Sequence, residues 1–282
     1  MRTLKLFALG ALFIGSTTPT LNAQTPAAQP QAPAAQTPAP STPSEGSDWL
    51  ERLHFFFNVN FGGQSKDQTF TDSSTFPIYT ERGAVASVHS IGGGTLFDIS
   101  AGVRFWRNLG VGIAYSTIQN KNDATVGVRV PHPVIFGVFR EASATAADLE
   151  HTENVVHLQF MWTVPVRDKL DLTVMAGPSF FTVRQTIATV RAPQDIRDVA
   201  PFTSVSINTL SLTDVKDSPV GVHIGVDASY NAVTFKGVGM GVGGFARWVG
   251  ANLDLPITEG LTRDTELKAG GAQGGLGLRF RF

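Results

Sequence analysis

The chain has 282 residues, a formal charge of −1, 29 Gly, no Cys and 42% hydrophobic residues. A near-neutral chain lacks the basic footprint that nucleic acid requires. Without Cys there are no disulfides, no thiolate metal ligands and no cysteine nucleophile, and no acylated Cys to anchor a lipoprotein. The length suits one large all-β domain or two small ones.

The N-terminus has the pattern of an export signal. Arg2 and Lys5 precede an apolar run from Leu6 to Ile14, and Ala23 offers a small residue for cleavage. The apolar run is about half the ~20 residues of a spanning helix, so residues 1–23 are expected to be a signal peptide. Residues 24–48 are rich in Pro, Ala and Gln. Pro every few residues blocks both helix and ladder, which makes this segment an extended periplasmic linker.

Residues 49–282 are expected to form one domain, in which apolar and polar residues alternate with the period of two that marks strands with unlike faces. Phe55, Phe57, Val59 and Phe61 oppose Asn58 and Asn60; Phe97, Ile99, Ala101, Val103 and Phe105 oppose Asp98, Ser100, Gly102 and Arg104. The pattern continues through Val111, Ile113 and Tyr115, then through Val156, Leu158, Phe160, Trp162 and Val164, and then Leu172, Val174, Ala176 and Phe180. Further on, Val220 to Tyr230 alternate against His223, Asp227 and Ser229, and Val238, Met240, Val242 and Trp248 oppose Gly239, Gly241, Gly243 and Arg247. Last, Leu276, Leu278, Phe280 and Phe282 oppose Gly275, Gly277, Arg279 and Arg281.

The polar face decides between a soluble sandwich and a membrane barrel. It carries Gly, Ala, Ser and Asn with scattered charges, an inventory that fits a narrow barrel lumen with the apolar face on lipid. Short joins at 107–110, 166–171 and 231–237 alternate with long segments at roughly 63–95, 119–153, 184–218 and 250–271. That is the rhythm of periplasmic turns and extracellular loops. The expected fold is therefore an all-β, antiparallel, up-and-down transmembrane barrel of eight strands. Alternating runs at 125–133 and 202–212 are expected to prolong strands above the membrane as hairpins; a ten-stranded barrel that uses them is the alternative, although the Pro residues at 131 and 133 disfavour a spanning strand there. On this register Phe105, Trp162, Tyr230, Phe280 and Phe282 form one aromatic girdle, and Phe61, Phe97, Tyr115, Phe180 and Trp248 the other.

Few residues carry a chemical signature. "GMGVGG" at 239–244 fits a dinucleotide fingerprint in letters, but the alternation runs straight through it and no helix follows. The six His have no metal-ligand spacing, and "SVHS" at 87–90 is a chance Ser/His neighbourhood. No catalytic residue, metal or cofactor is expected. The inward charges say more: Arg104, Asp227, Arg279 and Arg281 in the periplasmic half, Asp98 and Arg247 in the outer half. Unpaired charges in so narrow a space are costly, so Asp227 is expected to contact Arg104 or Arg279 and to plug the lumen.

The closing strand, with Leu276, Leu278, Phe280 and a terminal Phe282, resembles the C-terminal assembly signal of bacterial outer-membrane β-barrel proteins. The chain looks most like the small OmpA/OmpW-type group. The resemblance implies an outer-membrane location, recognition by the barrel-assembly machinery, and outer-membrane lipid and lipopolysaccharide as surroundings, with a monomeric barrel. An OmpA-like wall anchor does not carry over. The expected role is structural or surface-interactive. The alternatives are a narrow pore or transporter for a small or hydrophobic solute and, more weakly, a lipid-modifying barrel enzyme.

Overall fold

The computed structural model describes residues 53–167, 169–254, 261–263 and 266–282. The expected signal peptide and linker lie outside the described residues, as does the start of the barrel domain at residue 49. Twelve strands are present among the described residues: β1 (His54–Ile78), β2 (Glu81–Trp106), β3 (Leu109–Pro131), β4 (Phe139–Arg167), β5 (Leu170–Thr189), β6 (Ile196–Arg197), β7 (Ser206–Ile207), β8 (Ser211–Asp217), β9 (Val220–Phe235), β10 (Val238–Leu253), β11 (Leu261–Arg263) and β12 (Leu267–Arg281).

Eight of them close a ring. Each of β1 to β5 pairs antiparallel with its sequence neighbour, β5 pairs with β9, β9 with β10, β10 with β12, and β12 returns to β1. The closing ladder runs from Phe56↔Arg281 to Ser65↔Ala272, with Phe282 N–H bonded to the Phe55 carbonyl at 2.9 Å. Closure satisfies the backbone of both terminal strands, which an open edge in lipid would leave unpaired. The ring has eight strands, so the ten-stranded alternative is set aside.

Alternation sorts the side chains as the pleat demands. Phe61, Leu276, Leu278, Ile113, Leu158, Ile224 and Val242 point outward and are exposed, whereas Asn58, Asn60, Asp98, His157, Asp227 and Arg279 are buried inside. Phe105, Trp162, Tyr230 and Phe282 are exposed near the short turns, and Phe61, Tyr115, Phe180 and Trp248 are exposed toward the long hairpins.

The long segments differ from their expected form. Residues 63–95 are not a loop: β1 and β2 continue as one ladder to Ile78↔Glu81, turning at Tyr79 and Thr80 with φ of 51° and 66°. Two central residues at positive φ make a hairpin turn whose twist suits the strands. Its residues carry none of the usual Asn-Gly chemistry, so the sequence offered no turn signal there. The run at 125–133 does prolong its strand as a hairpin, as expected: β3 and β4 pair up to Pro131↔Phe139, which reduces the loop to 132–138. The run at 202–212 prolongs a spanning strand only at its end, where Ser211 and Leu212 open β8, which continues the β9 ladder on β5 in the same register. Its centre forms β7, which pairs with β6, and β8 folds back on β5 from Val183↔Asp217 to Thr189↔Ser211.

These extensions have their own core. Phe76, Val85, Val126, Val128, Ala188, Val190 and Val205 are buried together, with Ile78, Ala192 and Ile196 against them. The barrel therefore continues beyond the girdles as a packed extension, with the 190–205 segment folded onto its inner face.

Candidate functional site: the barrel lumen

The lumen is filled by side chains that alternation turns inward. Near the short turns, Arg281 donates to Asn58 Oδ1 at 2.7 Å and lies 5.5 Å from the Phe56 ring. One layer up, the fully buried Arg279 donates to Asp227 through Nε at 3.3 Å and Nη2 at 2.5 Å, and to Asn60 Oδ1 at 2.6 Å. Asn60 Nδ2 passes the link on to Asp98 Oδ1 at 2.9 Å.

Asp98 is the centre of the next layer. Its Oδ2 accepts from Arg247 Nη2 at 2.9 Å and from Ser116 Oγ at 2.8 Å, while Arg247 also reaches Ser116 Oγ at 2.6 Å. Arg247 Nε then donates to Gln273 at 2.7 Å, and Gln273 donates to Gln64 at 2.7 Å. Gln64 reaches Glu153 at 3.2 Å, whose carboxylate also takes Lys66 Nζ at 2.8 Å, His151 Nε2 at 2.9 Å and the Gly270 N–H at 3.0 Å. His151 Nδ1 meets Gln185 Oε1 at 2.5 Å.

A side branch runs across the middle. His157 lies between Ser116 (3.2 Å from Nε2) and Ser179 (2.8 Å from Nδ1), and Ser179 meets His223 Nδ1 at 2.9 Å. The one hydroxyl hydrogen of Ser116 goes to Asp98. His157 must therefore donate from Nε2; as a neutral imidazole it then accepts at Nδ1 from Ser179, which leaves Ser179 to accept from His223 Nδ1–H. For neutral imidazoles donor counting gives both tautomers and runs the branch in one direction, ending on Asp98. The column and its branch take residues from all eight ring strands: β1, β2, β3, β4, β5, β9, β10 and β12.

Buried charges need this density of partners, because an uncompensated one would carry its full desolvation cost. Below Asp98 and Arg247 a cavity of about 40 Å³ remains, lined by Asn60, Arg104, Gln159, Asp171, Asp227 and Arg281 among others. That is room for roughly two or three waters. Above, the column continues to Glu153 at the level of the outward-facing Thr152 and Asn154, where the lipid-facing apolar residues give way to polar ones.

The structure places the six expected lumen charges inside as two pairs and two neighbours. Asp227 pairs with Arg279 and Asp98 with Arg247, while Arg104 and Arg281 line the cavity beneath. Leu276, Leu278 and Phe282 of the closing strand are exposed outward, and Phe280 is half-buried, its ring 6.1 Å from that of Phe57. Sequence reading missed the upper layer of Lys66, Gln64, Gln273, His151, Glu153 and Gln185. The available signal was the phase of β4, which puts His151, Glu153, Val155 and His157 on one face. Ser87 and His89 of "SVHS" are buried in the extension, and "GMGVGG" lies within β10.

No protein-family model and no curated protein sequence matches the chain. Among solved structures it is similar to the outer membrane protein OprG from Pseudomonas aeruginosa, at 10% identity and a TM-score of 0.41 over 81% of this chain and 95% of that one. It is also similar to Neisserial surface protein A, at 12% identity and a TM-score of 0.37 over 81% of this chain and 94% of that one. A third likeness is to the N-terminal β-barrel domain of Pseudomonas aeruginosa OprF, at 12% identity and a TM-score of 0.34 over 82% and 98%. These are likenesses of fold. Ring closure, the outward apolar belt with its two girdles, and the polar interior define the class: an eight-stranded transmembrane β-barrel of the outer-membrane type.

Proposed function

We propose that this barrel resides in the outer membrane as a plugged scaffold whose role lies in its surface extension, not in solute flow. The observation that carries the reading is the hydrogen-bonded column from Asp227 to Gln185, which ties the eight ring strands together through the lumen. A water-filled pore lines its wall with polar groups; here the groups meet one another across the axis. Strands that continue far past the outer girdle, with a core of their own, fit a protein that presents a fixed surface away from the membrane. Exposed Leu276, Leu278 and Phe282 on a strand that closes the ring fit recognition by the assembly machinery before closure.

Planar-bilayer recording tests the reading. The native barrel is expected to show no steady conductance, and the Asp98→Ala/Arg247→Ala pair is expected to show openings. Steady native conductance that disappears when Arg279 is neutralised would replace the plug with a narrow pore.

One observation favours a second reading, a lateral path for a hydrophobic solute. The β2–β3 ladder breaks between His89↔Ala124 and Thr95↔Gln119, and a cavity of about 800 Å³ lined by Gly93, Gly94, Asn120, Lys121 and His151 adjoins the break. Vesicle uptake of an apolar dye, abolished by filling the groove with Gly63→Trp, would support it; uptake at the rate of protein-free vesicles would remove it.

A further inference from the structure

The loop that joins β3 to β4, residues 132–138, forms the tip of a long hairpin stem and is apolar. Val134 and Phe136 are 80% and 83% exposed, with Ile135 and Val138 also exposed. No charged residue lies between Val130 and Phe139. Three consecutive large apolar side chains in water at a loop tip mark a site that something covers.

Five of the six N–H groups of this loop are bonded within the protein. His132 Nδ1 accepts the N–H groups of both Val134 (3.2 Å) and Ile135 (3.1 Å). The N–H of Gly137 goes to Glu81 Oε1 at 3.2 Å, that of Val138 to the Ile135 carbonyl at 3.4 Å, and that of His132 to the Val138 carbonyl at 2.7 Å. Pro131 and Pro133 have no N–H at all. In water such groups are satisfied by solvent at no cost; in an apolar phase each must find an internal partner. Gly137 at φ 76° makes the turn that returns the chain.

The stem is rigid. Arg140 forms a bidentate ion pair with Asp198 and donates to the Pro131 carbonyl at 2.8 Å and the Phe202 carbonyl at 3.1 Å. Arg129 stacks over Phe139 at 4.1 Å. The charged residues behind the tip are balanced, with Arg82, Arg129 and Arg140 against Glu81, Glu141 and Asp198. Balance gives no attraction to an anionic surface. From the girdle at Tyr115 to Pro131, β3 rises about 50 Å at 3.3 Å per residue, or about 40 Å of height at a tilt near 40°. The tip therefore stands clear of the bilayer that the barrel spans.

We propose that Val134, Ile135 and Phe136 insert into the acyl-chain region of a second, zwitterionic phospholipid bilayer facing the cell surface. The inference rests on the surface-interaction reading above and gives it a partner: lipid, entered by a preformed apolar finger in which five of the six N–H groups from His132 to Val138 are already bonded.

The chain has no native Cys, so one introduced thiol can be labelled cleanly. Barrel carrying Val134→Cys with an environment-sensitive fluorophore, held in nanodiscs of phosphatidylcholine, is mixed with vesicles of brominated phosphatidylcholine. The expected result is a blue shift with quenching that depends on vesicle concentration, while the same label at Thr145→Cys, lower on β4, stays unchanged. Adding Ile135→Asp and Phe136→Asp to the labelled protein is expected to weaken the response at least tenfold. Unheated gel mobility shows whether that variant is folded; if it is not, Phe136→Ser alone takes its place, with at least a threefold loss expected. A label that stays in water at millimolar lipid overturns the proposal, as does an undiminished response in the folded acidic variant. A shift that grows with barrel concentration in the absence of vesicles assigns the finger to a second copy and overturns the lipid assignment. Conductance is read separately, so an open pore would sink the plug reading and leave this result standing.

Discussion

Removing one charge from the Arg279–Asp227 pair tests whether the column holds the barrel together. Arg279 is fully buried and Asp227 nearly so. Arg279→Met keeps most of the side-chain volume but leaves the Asp227 carboxylate without its cation and Asn60 Oδ1 without its donor. Breaking a buried ion pair from one side costs about 3–5 kcal/mol. Asp227 borders the small cavity, where water can replace part of the lost partner, so the lower end applies, about 3 kcal/mol. Asp227→Leu alone strands the guanidinium and is expected to cost at least as much. The double variant removes both charges, and an apolar substitute of similar volume is often near neutral; it is expected within about 2 kcal/mol of the native barrel. The assay is urea unfolding from phospholipid vesicles, followed by tryptophan fluorescence and by the fraction that runs as folded on unheated gels. The two single costs less that of the double give an expected coupling of at least about 4 kcal/mol. Additivity of the two single changes within about 0.5 kcal/mol would refute the claim that these charges act as a pair.

The remaining predictions concern the extension and the closing ladder. His89 stacks on Phe70 at 4.7 Å, beside the Asp72–Arg263 ion pair. Burial, with the charge of Arg263, holds its imidazole below the ordinary range, and Asp72 opposes this only in part. The unfolded chain therefore takes up the proton first as pH falls. The contribution is full above about pH 6.5 and is lost as pH drops toward the lower folded value. Amide exchange across 70–89, corrected for intrinsic rates, should show more opening at pH 5.5 than at pH 7.5; His89→Leu should flatten that response, and a flat native profile would contradict the assignment. At Gly277 a Cβ would fall 1.8 Å from the Val59 carbonyl oxygen, in the ladder that closes the ring. Gly277→Val is expected to fold to less than about a tenth of the native yield, whereas Gly274→Ala, whose Cβ meets the nearest atom at 3.5 Å, is expected to fold normally. Equal yields would remove the steric argument.

The sequence by itself determined everything that depends on a period of two. Phe57, Val59 and Phe61 against Asn58 and Asn60, or Leu276 and Leu278 against Arg279 and Arg281, fix which face meets lipid, because a strand turns alternate residues to opposite sides. Short joins set beside long segments showed which end holds the tight turns and pointed to eight strands, while the choice against ten waited for the closed ring. What alternation leaves open is distance across the lumen. Arg247 and Asp98 are far apart in the chain, and only closure of the ring brings β10 and β2 to face each other at 2.9 Å. The phase of β4 could turn Glu153 inward but not show its role, since Lys66, Gln64 and Gly270 reach it from other strands. The continued hairpin of β1 and β2 was equally hidden. Its turn at Tyr79 and Thr80 lacks the residues that announce one, and its Ser/Thr-rich strands become a surface only by packing on the extension's core. Period is a property of neighbours along the chain, and it was legible. Pairing across the axis, and the apolar tip held 40 Å or so above lipid, are properties of neighbours in space, and only the tertiary structure could decide them.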